Sequence, residues 1–459
     1  MGSSRARAKT AKSLTFVIQE HHARALHWDF RLERDGVLVS WALPKGLPVD
    51  PQTNHLAVHV EDHPLDYGGF EGVIPKGEYG AGRVTIWDKG TYECEKWRDK
   101  EVIVRLHGGR ASGRFVLFAT DGNKWMIHRM DPAPADFEPM PKEIAPMLAK
   151  SGEVPKDGAK WAYEFKWDGI RAIVYVEGGR VRALTRNAKP LGPAFPELSD
   201  IGLHLGSTSA ILDGEIVALD DQGRPNFSAL SHRLHLTSKA AVDKAARVTP
   251  ASFFAFDLLY LDGHSLVARP YDARRRLLEA LKLQGETFAT PISVTGRKAS
   301  DVIAVAAERG LEGVVIKRRN SPYEAGQRSG DWIKIKSYRA QEVVVGGWTN
   351  GKGALSDTLG ALLLGIPDGK QLTYVGKVGT GFTRAQRQAL LTVLAPLSRT
   401  TSPFGAPLSA SETALAHFVR PSLVGEVSFA EWTPDGHLRQ PAWRGIRSDK
   451  TARDVVRES

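Results

Sequence analysis

Lys166 stands in the run Glu164-Phe165-Lys166-Trp167-Asp168-Gly169-Ile170-Arg171, an apolar strand followed by an acid, a glycine turn and an arginine. A desolvated lysine beside other cations loses part of its proton affinity and becomes a nucleophile, whereas an exposed lysine stays protonated and inert. The pattern alone also fits a salt-bridged surface turn. Downstream come Asp213-Gly214-Glu215, Phe256-Asp257, Glu312-Gly313-Val314-Val315-Ile316-Lys317 and Asp331-Trp332-Ile333-Lys334-Ile335-Lys336. Two acids on separate strands can hold a divalent ion through oxygen ligands. Lysines alternating along a strand point the same way, toward phosphate oxygens. Singly these are solvated turns and strand edges; as an ordered set they describe a nucleotide phosphate site.

A second group lies near the N terminus, in Gln19-Glu20-His21-His22-Ala23-Arg24-Ala25-Leu26-His27-Trp28-Asp29-Phe30-Arg31. On a strand His27, Asp29 and Arg31 share one face, with Trp28 and Phe30 on the other against a core. Two imidazoles and a carboxylate suit Zn or Mn with open coordination positions. The same face also fits a hydrogen-bonded polar wall without metal.

The elements that must position these groups fall into three blocks. A length of 459 residues suggests two to four domains at roughly 100 to 200 residues each. Hydrophobic residues at 42% and charged residues at 25% are ordinary globular usage, which excludes disordered and fibrous classes. Prolines 132, 134, 139, 141, 146 and 155 accumulate as in an interdomain linker. The expected division is a flexible basic tail at 1–13, a small β-barrel or sandwich at 14–131, a Pro-rich linker at 132–145, an α+β domain at 146–338 and an OB-type barrel at 339–459. Helical patterns are expected at Tyr271–Leu283, Ser300–Arg309 and Ala385–Ala395. Asp213-Gly214-Glu215 is expected at a strand end. The single cysteine, Cys94, excludes an internal disulfide and points to the cytosol. The longest apolar run, Phe253 to Leu261, is interrupted by Asp257 and far short of the roughly 20 residues a membrane helix needs. Arg5, Arg7, Lys9 and Lys12, with no apolar stretch, are unlike a secretory signal; they fit either a DNA contact or a solvated terminus. The net charge of +10 favours polyanionic partners.

With its motifs in order, the middle block resembles the adenylyltransferase domain of ATP-dependent DNA ligases. The resemblance implies that Lys166 attacks the α-phosphate of ATP to form a lysyl-AMP, that Glu164 reads adenine and that Phe256 stacks on it. Arg171 and Arg186, the latter in Thr185-Arg186-Asn187, would bind ribose, phosphate or the 5′-phosphate of a nick. Glu215 and Glu312 would be the metal carboxylates for Mg or Mn. Lys334 and Lys336 would hold the α-phosphate, with Lys317 among the nucleotide-binding residues and Asp168 orienting the loop. The run Arg439-Gln440-Pro441-Ala442-Trp443-Arg444-Gly445-Ile446-Arg447-Ser448-Asp449-Lys450 resembles the last motif of that superfamily. Arg447, Asp449 and Lys450 are expected to serve lysine adenylation rather than sealing.

Adding Glu61-Asp62-His63-Pro64-Leu65-Asp66-Tyr67 and Gly72-Val73-Ile74-Pro75-Lys76-Gly77-Glu78-Tyr79-Gly80-Ala81-Gly82, residues 16–131 resemble the 3′-phosphoesterase domain of bacterial DNA ligase D. This implies removal of a 3′-phosphate, and of a 3′-terminal ribonucleoside, with Mn or Zn. His21, His27 and Asp29 would be the ligands, with His22 as rival to His21. Arg31, His63 and Tyr67 would contact the phosphate, His63 as transition-state stabiliser or acid. Gln19, Lys45 and Glu61 would support them. Two departures bear on the ribonuclease step: only a short basic tail precedes Leu14, and His55 stands where the family often has arginine.

The implied function is end healing followed by nick or break sealing in non-homologous end joining, by a bacterial monomer without a polymerase domain. DNA ends are the expected substrate, with Ku and a separate polymerase as candidate partners. A GTP-using capping-type nucleotidyltransferase and a non-catalytic DNA-end scaffold are the rival readings. The phosphoesterase resemblance speaks against the first, and the intact set Lys166, Glu215, Glu312 and Lys334 against the second.

Overall fold

The computed structural model describes residues 14–458 apart from 79, 192–193, 337–339, 352–357 and 370. The basic tail, Tyr79 and the expected boundary near Tyr338 lie outside the described residues.

Nine strands form the first unit: β1 (Leu14–His22), β2 (Leu26–Arg34), β3 (Val37–Leu43), β4 (His55–Pro64), β5 (Gly72–Ile74), β6 (Gly82–Arg98), β7 (Glu101–Gly108), β8 (Ser112–Asp121) and β9 (Lys124–Arg129). Their order is β1-β2-β3-β4-β9-β8-β7-β6-β5, and β1 also pairs with β6, closing eight of them into a barrel. Closure removes the free edges that such strands would otherwise expose. Leu26, Trp28, Phe30 and Leu32 of β2 point into the core beside Trp41 and Phe115. The polar face of β2 is covered too. Gln19 donates to the carbonyls of Tyr67 (3.1 Å) and Phe70 (2.9 Å), holding a turn at Leu65–Gly69 over Arg31. Asp29 and Arg31 are therefore buried.

The second unit contains two sheets. One, in the order β10-β20-β19-β11-β18, joins β10 (Leu148–Ser151), β11 (Trp161–Lys166), β18 (Ser293–Val294), β19 (Gly313–Arg318) and β20 (Arg328–Lys336). The other, in the order β13-β12-β14-β15-β16, joins β12 (Ile170–Glu177), β13 (Arg180–Thr185), β14 (Ala210–Ala218), β15 (Ala251–Leu261) and β16 (His264–Ser265), and β17 (Phe288–Ala289) pairs with β15. The helices are α1 (Ser199–Leu205), α2 (Phe227–Ser231), α3 (Lys239–Val248), α4 (Tyr271–Ala280) and α5 (Ala299–Glu308). The last two occupy the expected helical stretches; α1, α2 and α3 are additional. Ile173, Tyr175, Ile211 and Leu259 of one sheet pack against Trp332 of the other, which fixes the cleft between the sheets.

The third unit has the sheet order β23-β22-β21-β25-β26, from β21 (Ala340–Asn350), β22 (Leu359–Asp368), β23 (Gln371–Val378), β25 (Val424–Ser428) and β26 (Ala442–Ile446), while β24 (Ala416–Phe418) pairs with β21. This is the OB-type domain. Its helix α6 (Arg384–Leu394) begins with a capping box: Gln386 N–H donates to Thr383 Oγ1 at 3.2 Å and Thr383 N–H to Gln386 Oε1 at 2.8 Å. No described helix is long and apolar enough to cross a membrane.

Candidate functional site

Lys166 is the last residue of β11 and pairs with Gly313 of β19, which sets its ammonium against the buried carboxylate of Glu312. Lys336 approaches the other Glu312 oxygen at 3.5 Å. Burial pushes the Glu312 carboxyl up, but the Lys166 and Lys336 ammonium groups outweigh it and hold the group below its usual range. The glycine of the lysine motif is a packing requirement: a Cβ on Gly169 would lie 2.2 Å from the Ile216 carbonyl oxygen of β14. Likewise a Cβ on Gly214 would sit 2.4 Å from the Phe253 ring. These close approaches bring the lysine loop against β14, and β14 against β15.

Arg171 on β12 forms a bidentate pair with Asp213 on β14, one arm at 2.6 Å, and lies 4.6 Å over the Phe256 ring. Asp213 is fully buried and also accepts from Tyr323 at 2.6 Å. Two residues on, Glu215 lies within β14 rather than at a strand end, and burial pushes its carboxyl up to about 8 with Arg171 and Lys166 offsetting only part. Lys317 sits beneath the aromatic floor. Its ammonium meets Glu164 at 2.9 Å and the Phe256 carbonyl at 3.1 Å, and lies 4.2 Å from the Trp332 ring centre. Glu164 also accepts from Tyr271 and faces Arg275 at 3.5 Å. Asp213, Tyr271, Arg275 and Tyr323 therefore support the site without having been recognised as members from sequence. Asp213 belongs to the run Asp213-Gly214-Glu215; the others carry no local signal.

The OB domain closes over this cleft. Arg447 grips Asp449 through two hydrogen bonds of 3.0 and 2.9 Å and lies 4.8 Å from the Phe227 ring of α2. Lys450 pairs with Glu342 of β21, and burial together with Arg186, Lys334, Lys166 and Lys336 pushes it down to about 7. Lys334 and Lys336, on one face of β20, meet Glu458 at 2.8 and 3.5 Å, and Lys336 faces Glu426 at 3.8 Å. The cleft, about 160 Å³, gathers Lys166, Arg186, Glu215, Phe256, Lys334 and Lys450. The side chains expected at the nucleotide are thus brought together, Lys317 among them although it is buried.

In the barrel, His21 Nδ1 lies 3.4 Å and His27 Nε2 3.7 Å from oxygens of Asp29, and the three ligand atoms lie within 4.8 Å of one another. The opposite ring nitrogens face backbone carbonyls, His21 Nε2 that of Gly80 at 2.8 Å and His27 Nδ1 that of Ala25 at 3.0 Å. Such partners orient an imidazole for metal binding. Arg31 reaches Asp29 (3.1 Å), Gln19 (2.8 Å), Ser40 (2.8 Å) and His63 Nδ1 (3.0 Å), and the His63 and Tyr67 rings lie 4.9 Å apart. Burial and the Arg31 charge lower the proton affinity of His63. Ser40, fully buried, is a member the sequence reading missed.

Three further residues, the rival ligand His22, the supporting Lys45 and the departure His55, face away from the ligand set. His22 turns away from the ligand set and pairs with Glu20 at 2.7 Å, because neighbouring residues on a strand face opposite sides. Lys45 leaves the barrel site and pairs with Glu177 of β12 at 3.0 Å. The His55 ring faces the Gly46 carbonyl at 2.9 Å, on the same interdomain side.

Three family models match the chain in sequence order: the DNA Ligase D 3′-phosphoesterase domain over 19–119, the ATP dependent DNA ligase domain over 146–336, and the ATP dependent DNA ligase C terminal region over 356–450. DNA ligase C of Mycobacterium tuberculosis is 38% identical over 56% of this chain and 72% of that protein. The chain belongs to the ATP-dependent DNA ligases. Within them this ligase resembles the LigD type, since a phosphoesterase domain precedes the ligase domains. The multifunctional non-homologous end joining protein LigD of Mycobacterium bovis is 46% identical over 99% of this chain. The ligase spans 58% of the length of that relative. A solved mycobacterial DNA ligase D, complexed with ATP and MES, is 40% identical over 69% of this chain and 98% of that one, with a TM-score of 0.54.

Proposed function

We propose that the chain heals and seals DNA ends: the barrel converts a blocked 3′ terminus to a hydroxyl, and the other two domains join that hydroxyl to a 5′-phosphate at the expense of ATP. The observation that carries the reading is Lys166 at the mouth of a cleft whose walls supply Glu312, Lys334 and Lys336, with Arg447 and Lys450 brought over it by the OB domain.

In this reading Lys166 Nζ, having lost a proton, attacks the α-phosphorus of ATP. A P–N bond forms as the bond to the departing pyrophosphate oxygen breaks. Lys334 and Lys336 neutralise charge on the α-phosphate, and Arg447 and Lys450 orient pyrophosphate. Phe256 offers its face to adenine, and Glu164, held by Lys317, Tyr271 and Arg275, borders the base. AMP then passes to the DNA 5′-phosphate and frees Lys166. The 3′-hydroxyl attacks that phosphate and AMP leaves. Arg186, with Arg171 fixed by Asp213, provides charge for ribose or the 5′-phosphate. Glu215 and Glu312 would hold Mg or Mn, which when bound supplies Lewis-acid stabilisation of the transferring phosphoryl.

For the barrel, the donor set fits a divalent transition metal: two imidazole nitrogens with their tautomers set by carbonyls, and one buried carboxylate. His21, His27 and Asp29 would hold Mn or Zn, which when bound polarises the scissile phosphate. Arg31 and Tyr67 bind that phosphate, and His63, kept near Arg31, stabilises charge or donates the proton to the leaving oxygen. Ligation requires the 3′-hydroxyl that this step makes, so carriage on one chain raises the effective concentration of one site for the other's product. Ku, a separate polymerase and a cytoplasmic setting belong to the same reading.

The test is retention of label on the denatured chain after incubation with Mg and α-labelled ATP or GTP, with Lys166→Ala as control. ATP-specific, Lys166-dependent label is expected. Label from GTP would replace the ligase reading with capping-type chemistry, and no label from either would overturn both.

A further inference from the structure

The segment after the last motif folds back onto the cleft. Val455 is buried in the OB core, Gln341 Nε2 donates to the Val456 carbonyl at 2.8 Å, and the Glu458 N–H donates to Gln341 Oε1 at 2.8 Å. Trp432 Nε1 donates to the Glu458 carbonyl at 3.1 Å, and Arg457 lies 4.3 Å over the Trp432 ring. Gln341 is fully buried, so this clamp rests on the rigid part of the domain. What it delivers is a single carboxylate. One oxygen of Glu458 meets Lys334 at 2.8 Å and the other meets Lys336 at 3.5 Å.

We propose that Glu458 is a built-in phosphate surrogate: it neutralises Lys334 and Lys336, competes with the α-phosphate of ATP for them, and stays displaced for as long as AMP is fixed on Lys166. The inference rests on the ligase reading and on Lys334 and Lys336 as α-phosphate groups. The two oxygens of Glu458 already occupy Lys334 and Lys336, the same donors that an α-phosphate would need, so carboxylate and phosphate compete for one pair of ammonium groups. Nucleotide entry therefore displaces Glu458. Because the α-phosphate stays on Lys166 after pyrophosphate departs, Glu458 cannot return, and the closed OB domain has lost two of its ion pairs when it must swing away for DNA. Transfer of AMP to DNA vacates the lysines and permits reclosure.

Glu458→Gln tests this, since it keeps the side-chain shape and the backbone clamp while removing the charge. Enzyme stripped of AMP with excess pyrophosphate is assayed for lysine adenylation with α-labelled ATP. The KM for ATP is expected to fall roughly fivefold with kcat within twofold, the scale of one partly buried ion pair. A KM that is unchanged or raised overturns the inference. A second measurement, small-angle scattering, reads domain closure directly, with an unchanged thermal melt showing that the variant is folded. Nucleotide-free wild type should be more compact than its adenylated form, and nucleotide-free Glu458→Gln should be expanded; identical profiles for wild type and variant also overturn it. Wild-type enzyme that takes no label from ATP instead removes the ligase reading itself.

Discussion

Asn187 of the adenylation domain donates its side-chain amide to the backbone carbonyl of Asp449 in the OB domain, 3.2 Å away. The same Asp449 holds Arg447, whose guanidinium faces Phe227 of α2. A short run near the C terminus thus meets two separate segments of the adenylation domain when the OB domain is closed.

In the proposed function, closure of this kind serves lysine adenylation. Arg447→Ala with Lys450→Ala is expected to slow label transfer to Lys166 by roughly a hundredfold, the loss typical of removing groups that stabilise developing charge. Sealing of a pre-adenylated nick should change by only a few fold. Comparable losses in the two assays would mean that these residues also act in the sealing step.

Asp213 is buried with Arg171 bidentate upon it and Tyr323 donating to it. Asp213→Ala leaves a guanidinium at the cleft without its partner, and is expected to cost about 3 to 5 kcal/mol of stability. Asp213→Asn should cost less. Chemical denaturation of the two variants, read for midpoint at constant slope, measures the difference; equal stability to wild type would refute the assigned role.

The barrel and the cleft use different groups, so their activities should separate. His27→Ala is expected to abolish 3′-phosphate removal and to leave sealing of a 3′-hydroxyl nick intact. Metal content by elemental analysis should fall in the same variant. Loss of both activities together would indicate unfolding or one composite site.

Lys450 provides a pH signature. In the folded, nucleotide-free chain it is pushed down to about 7 by burial and by Arg186, Lys334, Lys166 and Lys336. The unfolded chain keeps the ordinary value of about 10.4, so between those limits it binds more protons than the folded chain, and stability rises with pH. Charging Lys450 in the folded chain is a penalty that is full below about pH 7 and is relieved as pH rises toward the unfolded value. The melting temperature of wild type minus that of Lys450→Met should therefore increase from about pH 7 to pH 9. A difference that is flat or declines over this range would show that Lys450 is not depressed.

The chemical identities were legible locally. Lys166, Glu215, Glu312, Lys334 and Lys336 suggest phosphate chemistry because each stands in a short motif and the motifs follow one another in order, and His27, Asp29 and Arg31 share a strand face through the two-residue repeat. The three-block architecture was equally readable from proline accumulation and from the change between strand and helix periods. Tertiary structure alone decided the partners. Asp213 lies 42 residues from Arg171, Tyr271 lies 107 from Glu164, and Glu458 lies 124 from Lys334, separations at which no local pattern reports contact. It likewise sent Lys45 to Glu177 and buried both faces of β2, because long-range pairing and the turn held by Gln19 determine which polar side chains lose water. Residue type and spacing determined what chemistry the chain carries; the packing of distant strands decided which charges face one another.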